Sequence, residues 1–127
     1  MSIVGHGLDL VECARIAKVL ANHRERFLER ILTPAERDRA GRHRNPIPFI
    51  AGRFAAKEAI LKMIGTGWRG QIAWTDMEIL ADERGAPNVR LSGETARRAE
   101  RLGVTTVHLS ITHTEHYAAA SAIGADA

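Results

Sequence analysis

Residues 104–123 run Val104-Thr105-Thr106-Val107-His108-Leu109-Ser110-Ile111-Thr112-His113-Thr114-Glu115-His116-Tyr117-Ala118-Ala119-Ala120-Ser121-Ala122-Ile123, and this stretch decides the fold class. Period two puts Val107, Leu109 and Ile111 on one strand face and His108, Ser110 and Thr112 on the other. Val104 to Thr112 and Tyr117 to Ile123 therefore read as the last two strands, joined by a hairpin at His113 to His116. A hairpin makes an antiparallel pair. Upstream, strands and helices mix without strict alternation, so the expectation is α+β.

Working back from that pair, Gly103 closes a helix over Gly93 to Leu102 that Ser92 is placed to cap. Ile72 to Leu80 suggests a strand, and Glu83-Arg84-Gly85 a turn into a short strand near Val89. A helix is expected from about Phe49 to Ile64, stopped by Gly65-Thr66-Gly67. The prolines at positions 46 and 48 make Arg42 to Pro48 a loop. Thr33-Pro34-Ala35-Glu36 is a helix start, with a capping threonine, a proline at the first helical position and a glutamate placed to reach back. Ile3 to Val11 reads as a strand running into a helix from about Glu12 to Leu20.

A chain of 127 residues usually forms one packed unit, so residues 1–127 are expected to be a single domain. Apolar residues make up 45% and aromatics only 5%, which predicts a core of aliphatic side chains with close helix packing. The single cysteine, Cys13, allows no internal disulfide and fits a reducing cytoplasm. Met1 to Glu12 lacks the basic start of a signal peptide, and no apolar run is long enough for a membrane span. The net charge is only +3, but Arg24 to Arg44 holds seven arginines against Glu25, Glu29, Glu36 and Asp38. Such a stretch favours an anionic partner, whether phosphate ligand, nucleic acid or acidic protein, and it also describes a solvated surface face. It lacks aromatics interleaved for base stacking, which counts against a small nucleic-acid-binding module.

Three segments carry chemistry. In Val4-Gly5-His6-Gly7-Leu8-Asp9, glycines weaken a strand unless something approaches its backbone closely. Asp9 ends that strand, and with Glu12 it also fits a capping box. In Gly52-Arg53-Phe54-Ala55-Ala56-Lys57-Glu58-Ala59-Ile60-Leu61-Lys62, Lys57 falls inside the apolar sector of Ile50, Phe54, Leu61 and Ile64, with Glu58 on its border. Glu58 and Lys62 share one helix face, where an ordinary ion pair is worth about 0.3–0.5 kcal/mol. The third segment is the polar row His108, Ser110 and Thr112, which suits phosphates or a nucleotide as well as it suits any wet strand face. Two carboxylates on separate elements, without a cysteine–histidine cluster, suit a hard cation such as magnesium and not zinc. With Arg53, Lys57 and Lys62 on one helix, the set looks made for an anionic diphosphate.

These segments resemble the holo-acyl-carrier-protein synthases, the small bacterial phosphopantetheinyl transferases, over nearly the whole chain. The likeness lies in Gly5-x-Gly7-x-Asp9, in Phe27-x-x-Arg30-Ile31-Leu32-Thr33 with Glu36, in Arg53 to Ala59 with Lys62 and Gly65-Thr66-Gly67, and in His108-x-Ser110-x-Thr112-His113. It implies a small α+β domain whose antiparallel-rich sheet is packed by helices. It further implies transfer of 4'-phosphopantetheine from coenzyme A to a serine of an acyl carrier protein, releasing 3',5'-adenosine bisphosphate. By the resemblance, Asp9 and Glu58 hold Mg2+ and act with Lys62 as the catalytic set. Lys62 neutralises phosphate charge; Arg53, Lys57, Gly65, Gly67, His108, Ser110 and Thr112 bind the coenzyme. For the group that takes the serine proton, the resemblance leaves two candidates, Glu58 and a metal-bound water. Arg15, Arg24 and Arg26, with Phe27 as an apolar neighbour, correspond to the family's docking surface for its acidic carrier. The family is typically a homotrimer with active sites between subunits, working in the cytoplasm in fatty acid biosynthesis. An inactive homologue that only binds coenzyme A or a carrier is the other outcome the resemblance allows. His6 departs from the aliphatic residue common between the two glycines; it falls on the strand face opposite Asp9.

Overall fold

The computed structural model describes residues 1–65 and 72–127. The chain begins with strand β1 (Ile3–Glu12) and helix α1 (Cys13–Ile31), followed by α2 (Pro34–Ala40) and α3 (Ile47–Ile64). A 3-10 turn (Trp74–Asp76) leads into the hairpin β2 (Met77–Ala81) and β3 (Pro87–Leu91), then α4 (Gly93–Arg101), β4 (Thr106–His113) and β5 (Tyr117–Ala125). The strands form an antiparallel sheet in the order β1-β5-β4 and a separate antiparallel pair β2-β3. The α+β expectation holds.

Helix α3 is the centre of the molecule. Eleven of its residues are buried, on all sides, so it behaves as a core helix rather than a surface one. It lies against the inner face of the sheet, where β5 offers Ala118, Ala120 and Ala122 and β1 offers Gly5 and Gly7. A Cβ added at Gly7 would overlap the Ala59 carbonyl oxygen, and one at Gly5 would overlap that of Met63. The close approach that strand glycines imply is therefore the approach of α3.

Several boundaries differ from those expected. α3 starts before Phe49 because Pro46 and Pro48 fall at the cap and first turn, where no intrahelical N–H is needed. It stops at Gly65, whose φ of +79° is the left-handed cap conformation. α1 runs on past Leu20 to Ile31, broken at His23 (φ −143°, ψ 43°), where the Asn22 amide donates back to the Lys18 carbonyl. The break separates the buried set Cys13, Ile16 and Leu20 from Leu28 and Ile31, which hid the second half from a periodicity count. β2 begins at Met77, because Trp74 to Asp76 close a turn in which the Asp76 amide donates to Ala73 O. The Asp9–Glu12 capping box does not form: Asp9 is mid-strand, paired with Ala120, and α1 starts at Cys13 without a side-chain cap. Ser92 precedes α4, yet its hydroxyl turns to the Asp76 carbonyl and caps nothing. At α2 both halves of the capping box are present: Thr33 Oγ1 accepts from the Glu36 amide, and Glu36 Oε1 from the Thr33 amide.

Candidate active site

Period two turns Asp9 to the same face as Gly7 and Val11, toward α3. There its carboxylate, 15% exposed, accepts a hydrogen bond of 3.1 Å from Lys62 Nζ. The same ammonium donates to the Leu8 carbonyl at 3.0 Å. Glu58 is half-buried one helical turn before Lys62 and on its face. The close packing of α3 on the glycines of β1 thus brings the two predicted carboxylates and the predicted lysine to one strand–helix crossing. The donor set fits a magnesium ion, since it offers hard carboxylates from two elements. Among the described residues there is no cluster of three or more His, Cys, Asp or Glu. Water and a ligand's phosphates would complete such a shell.

Lys57 is not at this site, contrary to the substrate-binding role expected of it. Its side chain is 0% exposed, and Nζ donates to Glu36 Oε1 and to the Ile31 carbonyl, both at 2.6 Å. Glu36 Oε2 in turn accepts from the Ile79 amide at 2.8 Å. Burial lowers the Lys57 pKa from its usual value, while the Glu36 charge opposes that shift. The pair ties α3 to the end of α1, the start of α2 and β2. Enclosed there, the ammonium does not reach a phosphate.

Arg53 lies five residues before Glu58, roughly 140° round the helix, so it faces elsewhere. Its Nε donates to the Ile79 carbonyl at 3.0 Å and its guanidinium stacks over Phe49 at 4.3 Å. Burial lowers its pKa from the usual value, with Glu36 opposing and Arg39 adding to the shift. It lines a cleft of about 230 Å³ with His43, Asn45, Phe49, Ile111 and His113. His43, Asn45 and Phe49 carry no motif of their own; only their nearness to Arg53 marks them. Gly65 forms the α3 cap, and Gly67 lies outside the described residues.

His108, Ser110 and Thr112 are exposed on the outer face of β4. One chain does not bring them to Asp9. They occupy the opposite face of the sheet, and β5 separates the two strands, a span of about 10 Å. On α1, Arg15, Arg24 and Arg26 are exposed. Arg26 and Phe27 line a groove of about 220 Å³ at the helix break with Val19, His23 and Arg30, and Arg15 lies one turn before Val19. Arg24 lines a different groove, with Arg37 and Arg44. Phe27 stacks on Phe54, and Phe54 on Trp74, with centroids 6.2 and 4.9 Å apart. Val19, His23, Arg26, Phe27 and Arg30 are spaced i, i+4, i+7, i+8 and i+11, so helical spacing alone puts them on one side of α1, with the break at His23 lying within the set.

Comparison with known proteins gives the family. The sequence model of the 4'-phosphopantetheinyl transferase superfamily matches residues 5–122. The holo-[acyl-carrier-protein] synthase of Natranaerobius thermophilus is 46% identical over 121 residues, covering 95% of this chain and 96% of that one. Among solved structures, the holo-(acyl-carrier-protein) synthase of Bacillus anthracis in complex with CoA (3',5'-ADP) is 38% identical, with a TM-score of 0.82 and 98% of each chain covered. The Neisseria meningitidis synthase is 32% identical, with a TM-score of 0.90 over 98% of this chain and 100% of that one. This chain belongs to the 4'-phosphopantetheinyl transferase superfamily and, within it, to the holo-[acyl-carrier-protein] synthases.

Proposed function

We propose that this chain, acting as one domain over residues 1–127, transfers 4'-phosphopantetheine from coenzyme A to a serine of an acidic apo acyl carrier protein. The observation that carries this reading is the Asp9–Lys62 pair, on the α3 face that also bears Glu58, in a chain similar to such synthases along almost its whole length. The serine oxygen attacks the phosphorus bearing the pantetheine arm. A new oxygen–phosphorus bond forms as the diphosphate bridge breaks, and 3',5'-adenosine bisphosphate leaves with the bridging oxygen. Asp9 and Glu58 would hold magnesium, which when bound polarises the phosphorus and offsets charge on the leaving group. Lys62, already directed at this point by Asp9 and Leu8 O, supplies a fixed positive charge for the diphosphate. Glu58 and water are the two acceptors available for the serine proton.

Arg53 with its cleft, and His108, Ser110 and Thr112, are assigned to the coenzyme's adenosine and 3'-phosphate end. Because the β4 row cannot meet Asp9 within one chain, the reading requires a homotrimer in which β4 of a neighbour completes the site. Arg15, Arg26 and Phe27, with Arg30 beside them and Arg24 at the flank, form the surface for the acidic carrier. Complementary charge there would raise the encounter rate and make it salt-dependent. Among the described residues no helix is long and apolar enough to cross a membrane. The proposed setting, the cytoplasm and fatty acid biosynthesis, rests on the family resemblance alone.

The test is a pair of isosteric variants. Asp9→Asn and Glu58→Gln should each lower magnesium-dependent turnover by about a hundredfold or more, with the thermal melt little changed. Unchanged turnover at any magnesium concentration would remove the metal assignment.

A further inference from the structure

The outer face of the three-stranded sheet is uncovered. It presents Val4, His6, Leu8 and Leu10 from β1, Ala119, Ser121 and Ile123 from β5, and the polar row of β4. Leu8 is 61% and Leu10 65% exposed, unusual values for leucines side by side on a strand face. The chain has 18 lysines and arginines, and none lies among these residues. An acidic carrier or a nucleic acid has nothing to grip here. A second copy of the chain does fit, since it meets an uncharged surface with an uncharged surface. The role assigned to this face, and to His6 within it, rests on that trimeric reading.

His6 stands at the centre of the β1 part of the face. Its Nε2 is 3.0 Å from Ser121 Oγ, and its register partner is Ile123, beyond which His108 lies in the same row. Val4 and Leu8 flank it along β1. The groups facing it are therefore Ser121 and Ile123 from β5, and His108 and Ser110 from β4. Asp9 is on the other face, Glu12 ends the strand six residues on, and Asp126 at the sheet's end is bonded to the Ser2 amide. Among the described residues no carboxylate is placed to pair with an imidazolium at position 6.

We propose that His6 makes self-association pH-dependent: its neutral ring, bonded to Ser121, can be covered by a neighbouring copy, and its cation cannot. Covering the cation would desolvate an unpaired charge on an apolar face. The covered state then favours the neutral ring and binds fewer protons than the separated chains, so association weakens as pH falls. Activity falls with it, because the proposed sites span the contact.

Sedimentation velocity at pH 8 and pH 5.5, with circular dichroism to follow the fold, tests this on the wild type and His6→Gln. The glutamine can keep a hydrogen bond to Ser121 but does not titrate. The expected result is a wild-type assembly at pH 8 that separates into folded smaller species at pH 5.5, while His6→Gln keeps one state at both. An assembly that persists at pH 5.5, or a glutamine variant that separates in step with the wild type, overturns the role of His6 and leaves the trimer standing. Wild type monomeric at pH 8 overturns both. If His6→Gln fails to assemble at pH 8, His6→Leu takes its place, and failure of both also overturns the proposal.

Discussion

Lys57 and Lys62 stand five residues apart on one helix and have opposite fates. Lys62 is half-exposed and bonded to Asp9, at the point where a diphosphate is proposed to lie. Lys57 is enclosed with Glu36. Its place in the apolar sector was legible from helical spacing, but its partner was not. Glu36 lies on another element and meets it only through the fold, so the unplaced charge was assigned to phosphate. Substituting Lys57→Met leaves the Glu36 carboxylate buried without its counter-ion and should cost about 3–5 kcal/mol of stability, read by urea denaturation. Adding Glu36→Gln should recover part of that loss, since the remaining group is neutral. If the single variant is as stable as the wild type, the pair does not hold these elements together. Asp9 shows the reverse case: four residues offered a capping role, the family resemblance a metal-holding one, and strand pairing with Ala120 removes the first.

At the scale of elements, the contact of β1 with α3 sets the geometry of the site. Strand alternation, the Thr33 capping box and the Gly65 stop are local signals, and each stands in the structure as the sequence indicates. The second half of α1 was not legible, because the His23 break interrupts its apolar stripe and five of the nine residues from Asn22 to Arg30 are charged. The two glycines of β1 announced a close approach without naming what approaches. Gly7→Ala tests that contact. Its methyl would overlap the Ala59 carbonyl, a helix backbone atom that cannot step aside alone, so α3 must retreat from the strand. A loss of about 1–3 kcal/mol in stability is expected, together with weaker turnover as Lys62 draws away from Asp9. An unchanged melt and unchanged activity would mean the packing is looser than the structure has it.

At the scale of the molecule, the proposed catalytic pair and the β4 row lie on opposite faces of one sheet. In the proposed trimer their separation explains why both motifs could be read while the complete site could not: no pattern within a single chain records which surface a neighbour would cover. Glu58→Gln and His108→Ala should each be weak alone, yet refolding them together should restore about a quarter of the sites, those drawing Glu58 from one chain and His108 from the next. No recovery in the mixture would return the whole site to one chain. The central claim is the reaction itself, and intact-protein mass spectrometry reads it directly. An apo acyl carrier protein is incubated with this enzyme, coenzyme A and magnesium, beside a chelator control. The account predicts a gain of one phosphopantetheine group on the carrier, abolished by the chelator. A carrier of unchanged mass, tested across several acidic carriers, would contradict it and leave a protein that binds coenzyme A without transferring it.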